Sequence, residues 1–286
     1  MPITIVLGAV FYPFFIKMAF LTPYLIFVML FLTFCNMHWH NIRLSKLHLW
    51  LILIQILGGM GIYILLLPIN KALAQGVMIC VIAPTATSAP VITGMLKGNV
   101  ESLTAYSLLS NICVAVITPL FFSLVGETAS LSFVTGALTI SKSVLTVILA
   151  PLLLAFLLKI FLPKTTRRIG SVSSLSFWLW ALALAIVTAR TTAFMVAQDS
   201  RNFYTEIALA VGALAVCIFL FAVGKSIGKK YDETIAAGQS LGQKNTVLAI
   251  WMAQTYLNPL SSIAPGMYVL WQNMFNSWQI WREARR

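Results

Sequence analysis

Two short polar stretches hold the side chains through which this chain could do chemistry. The first is Pro84-Thr85-Ala86-Thr87-Ser88-Ala89-Pro90, where two prolines six residues apart enclose the hydroxyls of Thr85, Thr87 and Ser88. The second is Gln239-Ser240-Leu241-Gly242-Gln243-Lys244-Asn245, followed by Thr246. Proline removes a helix donor and restricts the residue before it, so Pro84 and Pro90 mark an unwound segment with freed carbonyls. Carbonyls, hydroxyls and the positive end of a half-helix starting near Pro90 suit reversible binding of a cation or an anionic group. The plainer reading is a proline kink repaired by its hydroxyls. Two prolines with three hydroxyls between them leave more polar backbone than a kink requires.

The second stretch cannot face lipid, and Lys244 at depth must be paired or solvated. Its plainer reading is a cytoplasmic or re-entrant loop, but the apolar continuation 247–253 favours a span, with Asn245 hydrogen-bonding across helices. Four further polar residues stand alone on apolar runs: Gln55, Ser107, Ser110 and Asn111. The last three share a helix face at i, i+3 and i+4, which fits either helix–helix glue or the lining of a polar core. Asn273 and Asn276, with Gln272 and Gln279, read as packing and an interfacial edge. His38 and His40 flank Trp39 beside Asn41, and i, i+2 spacing on a helix does not converge two rings on a metal. No Walker motif, dinucleotide fingerprint, Ser/His/Asp set or HExxH occurs, so ATP-driven transport within this chain and most enzyme chemistry are set aside.

Helices of membrane length must position these groups. Of 286 residues 60% are hydrophobic and 9% charged, too little charge for a soluble domain of this size. The apolar runs approach 20 residues without alternating, which argues against a β-barrel. Ten spans are expected, at roughly 3–18, 20–37, 49–67, 73–96, 103–125, 135–161, 174–188, 205–223, 234–254 and 260–278. Five spans per half make any repeat inverted, with halves 1–130 and 131–286, and the polar interruptions fall in the fourth and ninth spans. Thirteen of the nineteen basic residues then lie on one side, and Lys17, Lys71, Arg190 and Arg201 lie on the other. The positive-inside rule puts both termini in the cytoplasm, and the placement of charge in short links argues against a nucleic-acid partner. The first apolar stretch reads as a retained helix, without a basic leader. Cys35, Cys80, Cys113 and Cys217 sit singly in or beside apolar runs as small hydrophobes.

With those segments located, the chain resembles the bile acid:sodium symporter family over nearly its whole length. The resemblance is most specific in Ala83–Asn99, in Gly242–Ala249, and in Pro265-Gly266 and Trp271-Gln272-Asn273 of the last span. It implies an all-α polytopic membrane protein with ten transmembrane helices in two inverted five-helix repeats. Spans 1, 2, 6 and 7 would form a panel domain and spans 3–5 and 8–10 a core domain whose broken fourth and ninth helices cross. It also implies secondary transport, by alternating access in the cell (inner) membrane, of an organic anion such as a bile salt or small carboxylate.

The implied ion ligands are only partly kept. The family's Ser-Asn pair in the first crossing falls on Ala89 and Pro90, its hydroxyl ligands on the fifth helix fall near Ser107 and Asn111, and its third-helix glutamine matches Gln55. Its sodium-binding glutamate falls on Ser240, or on Gln239 in a register one residue away, and its glutamine four residues later falls on Lys244. Gly242 and Asn245 match. Losing a carboxylate and gaining an ammonium moves the local charge by about two units against a bound cation. The expectation is a sodium-independent carrier with Lys244 in place of the ion, run by proton-driven cycling or facilitated diffusion. The alternatives are a sodium-coupled symporter with a residual site and Lys244 on the anion, a non-transporting receptor or scaffold, and a channel. No cofactor is called for, sodium is left open, the partners are an organic anion and the bilayer, and a monomer is compatible with the sequence.

Overall fold

The computed structural model describes residues 2–37, 43–126, 133–170, 173–197 and 203–285; His38, Trp39, His40, Asn41, Glu127 and Arg201 lie outside these. Helices dominate: α1 (Pro2–Val10), α2 (Tyr12–Phe15), α3 (Thr22–Cys35), α4 (Lys46–Leu66), α5 (Lys71–Ile82), α6 (Ala89–Met95) and α7 (Val100–Val125) are followed by α8 (Phe133–Phe161), α9 (Pro163–Gly170), α10 (Ser173–Ala197), α11 (Phe203–Gly228), α12 (Thr234–Gly242), α13 (Thr246–Tyr256) and α14 (Ile263–Glu283). Six runs among the described residues are long and apolar enough to cross a bilayer: Tyr12–Cys35, Lys46–Leu66, Val100–Val125, Val134–Phe161, Trp178–Ala197 and Phe203–Tyr231. The protein is therefore an all-α, multi-pass membrane protein. Helices α5, α6, α12 and α13 are each too short to span alone, as interrupted spans must be. Helix α14 has 21 residues but is diluted by Gln272, Asn273, Asn276 and Gln279.

Two boundaries differ from the sequence reading. The expected turn between residues 18 and 20 does not exist, because the backbone stays right-handed helical at Phe15, Ile16, Leu21 and Thr22, and Tyr12–Cys35 is one run. The break lies instead at Phe11 (φ −98°, ψ 31°), just before Pro13. Helix α1 has nine residues, about 14 Å of rise, and is too short to cross on its own. It packs on α10, where a Cβ at Gly8 would lie 2.5 Å from the carbonyl oxygen of Ala185. The second difference is α10, which continues past Thr188 to Ala197, so Arg190 lies within a helix and not in a link.

Polar contacts identify which helix ends meet. At one end Lys97 pairs with Glu283 at 3.2 Å, Asn99 Nδ2 donates to Glu233 at 3.3 Å, and His48 Nε2 lies 3.0 Å from Ser102. Lys159 donates there to the Met37 carbonyl at 2.6 Å. At the other end Gln75 Nε2 donates to the Val125 carbonyl (2.6 Å), and its Oε1 accepts the Asn258 amide (3.0 Å). The basic residues Lys46, Lys97, Lys229, Lys230 and Arg282 thus gather at one end of the bundle.

Two apolar clusters fill the interior. One joins α3, α8 and α10 to α13, and the other joins α4 and α5 to α11 and α14. Helix α11 meets α12 along a seam of small residues. Gly224 and Gly228 on α11 let the backbone of Ala237, Gly238 and Glu233 approach so closely that an added Cβ would sit 2.5–2.9 Å from it. This is a small-xxx-small contact, which brings helices together in lipid where apolar side chains have no reason to prefer each other.

Candidate functional site

The two polar interruptions meet. Ala83, held extended (φ −46°, ψ 140°) by the proline that follows, ends α5, and Pro90 sits in the first turn of α6. Gln243 is likewise extended (φ −98°, ψ 109°) between α12 and α13. The two unwound segments pair as a short antiparallel bridge at Thr85 and Lys244. The Ala86 amide donates to the Gln243 carbonyl (3.0 Å), and the Asn245 amide donates to the Pro84 carbonyl (2.8 Å). Thr85 Oγ1 adds a bond to the Ser240 carbonyl at 2.9 Å, and Gln243 Nε2 donates to Ser88 Oγ at 2.9 Å. Backbone groups stranded by each helix break are thereby satisfied by the other, which an apolar interior demands.

Lys244 is the most buried cation of the site, at 1% exposure. Its ammonium donates to the carbonyls of Val81 (2.7 Å) and Ala83 (3.0 Å), at the C-terminal end of α5. Gln55 Nε2 donates to the neighbouring carbonyls of Ile82 (2.6 Å) and Ala83 (3.0 Å). A helix C-terminus carries partial negative charge on its unpaired carbonyls, so a cation and an amide converge where negative potential is fixed in the backbone. No Asp or Glu occurs in 71–100 or 234–263, so the backbone supplies that potential without a carboxylate. Gln55 Oε1 in turn accepts from Tyr106 Oη and from Ser110 Oγ (3.0 Å), tying α4 to α7. Gln272 of α14 brackets the backbone of Lys244, accepting from its amide (2.9 Å) and donating to its carbonyl (3.3 Å). Tyr268 Oη donates to the Gly242 carbonyl at 2.8 Å.

The sequence-derived residues do not all converge. Gln55, Ser110, Thr85, Ser88, Ser240, Gln243 and Lys244 form one connected network with Pro84 and Gly242 beside it. Gln239 points elsewhere, donating to Asn276 Oδ1 (3.0 Å) on α14. The side chain of Asn245 does not bond across helices; its Oδ1 caps its own α13 at the Leu248 amide (3.2 Å). Ser107 and Asn111 are buried on α7, where Asn111 Nδ2 donates to the Ser107 carbonyl (2.8 Å) and Asn111 Oδ1 has no partner. Thr87 is half-buried at the edge of the bridge. Ala89 lies in an apolar trio with Leu103 and Ala236. Tyr106 and Tyr268 are not singled out by the sequence, and Gln272, read there as packing or an interfacial edge, instead holds the backbone of Lys244; the spacing of 268, 272 and 276 along one face of α14 is the signal that points to the last two. Among the described residues no cluster of His, Cys, Asp and Glu suits a metal ion.

Gln55→Leu should remove four buried hydrogen bonds at once. At about 1 kcal/mol each the loss is about 3–4 kcal/mol, read as a lowered Tm of the detergent-purified protein. An unchanged Tm would mean that Gln55 does not tie the helices together.

Comparison with known proteins follows the geometry. The family model described as Sodium Bile acid symporter family matches residues 23–198. A protein of Bacillus subtilis (strain 168), "Uncharacterized sodium-dependent transporter YocS", is 24% identical over 205 residues, which is 72% of this chain and 62% of that protein. The chain thus spans less than two thirds of the length of that relative.

Proposed function

The chain belongs to the sodium bile acid symporter family, and on that premise we propose that it is a secondary carrier of an organic anion, cycling by alternating access without sodium. One observation carries this reading: the Lys244 ammonium lies on the Val81 and Ala83 carbonyls beside Gln55, within the pairing of two unwound segments. A fixed ammonium there competes with a mobile cation for the same negative potential. The apolar trio around Ala89 supports the same conclusion for the other residues that a sodium ligand pair would have occupied. Substrate contacts then fall to Thr87, Ser88 and the groups around the crossing, with Ser107 and Asn111 lining its flank.

The proposed topology puts the basic end of the bundle, and with it the C-terminal end of α14, in the cytoplasm. Counting Tyr12–Cys35 as one crossing leaves α4 and α11 five crossings apart, the same odd separation as in the ten-span reading. The units α4–α7 and α11–α14 are therefore read as inverted copies forming a core, with α3, α8 and α10 as the panel against which it moves.

The test is uptake into proteoliposomes of labelled cholate and of labelled pyruvate, in sodium and in potassium buffers. Saturable uptake at equal rates in both is expected. Uptake raised tenfold by sodium would overturn sodium independence, and saturable binding without flux would replace the carrier by a receptor.

A further inference from the structure

Arg190 is a half-buried cation that the crossing does not use. It lies seven residues before the end of α10, about 10 Å inside the helix terminus. Its helical neighbours at i−4 and i−3, Ile186 and Val187, are each 1% exposed. Phe194, at i+4, packs against the apolar cluster of α4, α5, α11 and α14. The same face is tied to α13 and to the turn 259–262. Gln254 Nε2 donates to the Val187 carbonyl (3.2 Å) and to Thr191 Oγ1 (2.8 Å), and Thr191 Oγ1 lies 3.2 Å from Ser262 Oγ. Arg190 thus sits on the side of α10 that meets the crossing helices, and not on a lipid-facing one.

The guanidinium is half-buried and makes no hydrogen bond or ion pair with any described residue. Of the acidic residues, Glu101, Asp232, Glu233 and Glu283 belong to the opposite end of the bundle; Glu206 opens α11, and Glu127 and Asp199 lie outside the described residues. Removing a cation from water without a counter-charge is costly, and an arginine inside a membrane span points to a functional partner by default. A guanidinium presents a planar fork of donors matched to a carboxylate or sulfonate.

We propose that Arg190 binds the acidic group of the transported anion from the α10 side, at the end of the protein remote from the basic residues. This rests on the carrier reading above and adds the residue that selects for negative charge.

The experiment measures labelled cholate uptake in proteoliposomes of phosphatidylcholine alone, for the wild type, Arg190→Lys and Arg190→Gln. Arg190→Gln should raise KM at least tenfold with the maximal rate within twofold, and Arg190→Lys should fall between. In the wild type, cholate should protect Arg190 from modification by phenylglyoxal, read by mass spectrometry, which tests the contact even where a variant folds poorly. A KM within twofold of wild type, or no protection, would overturn the role of Arg190 while leaving the carrier intact. A KM change that appears only when phosphatidylglycerol is present would assign the guanidinium to a lipid headgroup and equally overturn it. A wild type that takes up neither cholate nor pyruvate would overturn the carrier reading itself.

Discussion

On the proposed reading, Lys244→Gln should make uptake of organic anions rise at least tenfold when sodium replaces potassium, where the wild type shows no difference. The ammonium holds two carbonyls at the end of α5, and glutamine is shorter and uncharged, so it withdraws the positive charge in contact with them. The Val81 carbonyl loses its side-chain donor, at a cost of about 1–3 kcal/mol, while Ala83 keeps its bond from Gln55, and the negative end of α5 would then be free to attract an ion. Gln55 would remain in position to share that ion's coordination through its neighbours, since its own bonds do not depend on Lys244. Two readouts apply. Without sodium the variant should melt below the wild type, and sodium should restore much of that loss in the variant while leaving the wild type unmoved. Sodium-indifferent uptake together with a sodium-indifferent Tm would end the substitution hypothesis.

Gly224→Val is expected to be the most damaging single change outside the crossing. A Cβ at Gly224 would lie 2.5 Å from the Ala237 carbonyl oxygen and 2.9 Å from the Gly238 Cα, and both are backbone atoms that no rotamer change moves. Helix α12 would have to retreat from α11, carrying Gln239–Lys244 with it and pulling Lys244 away from α5. Forcing bulk into a closed seam costs about 1–3 kcal/mol at a side-chain contact and more against backbone. The expected result is loss of the monodisperse peak on size exclusion. Gly61→Ala provides the comparison: nothing lies within 4 Å of a Cβ there, so it should fold normally and gain slightly from the helix preference of alanine. Equal behaviour of the two variants would contradict the α11–α12 packing.

The crossing was legible because its signal is local. Prolines at 84 and 90 break a helix wherever they occur, and a run such as 239–245 cannot face lipid, so both interruptions announce themselves without knowledge of their partners. Residues that earn their place through distant partners were not legible in that way. Tyr106 looks like an ordinary member of an apolar helix, and Gln272 like part of a polar edge, until Gln55 and the backbone of Lys244 are brought beside them. Asn245 was misread because a carboxamide serves an N-cap as well as a cross-helix bond, and only the start of α13 decides between them. Arg190 follows the expected span end at residue 188, yet α10 continues through it. The early turn failed for a related reason. Pro23 stands near the start of α3, where its missing donor costs little, and a preceding 3-10 stretch carries the helix through.

The link between Thr85 and Lys244 is made of main-chain atoms, so it works like a rivet whose grip does not depend on which side chains surround it. Positions 87 and 88, at its edge, are therefore open to revision: on the proposed reading, exchanging their side chains would retune what is bound while the rivet stays fastened. A small library at Thr87 and Ser88 is the natural place to alter what the proposed site binds without having to rebuild its frame.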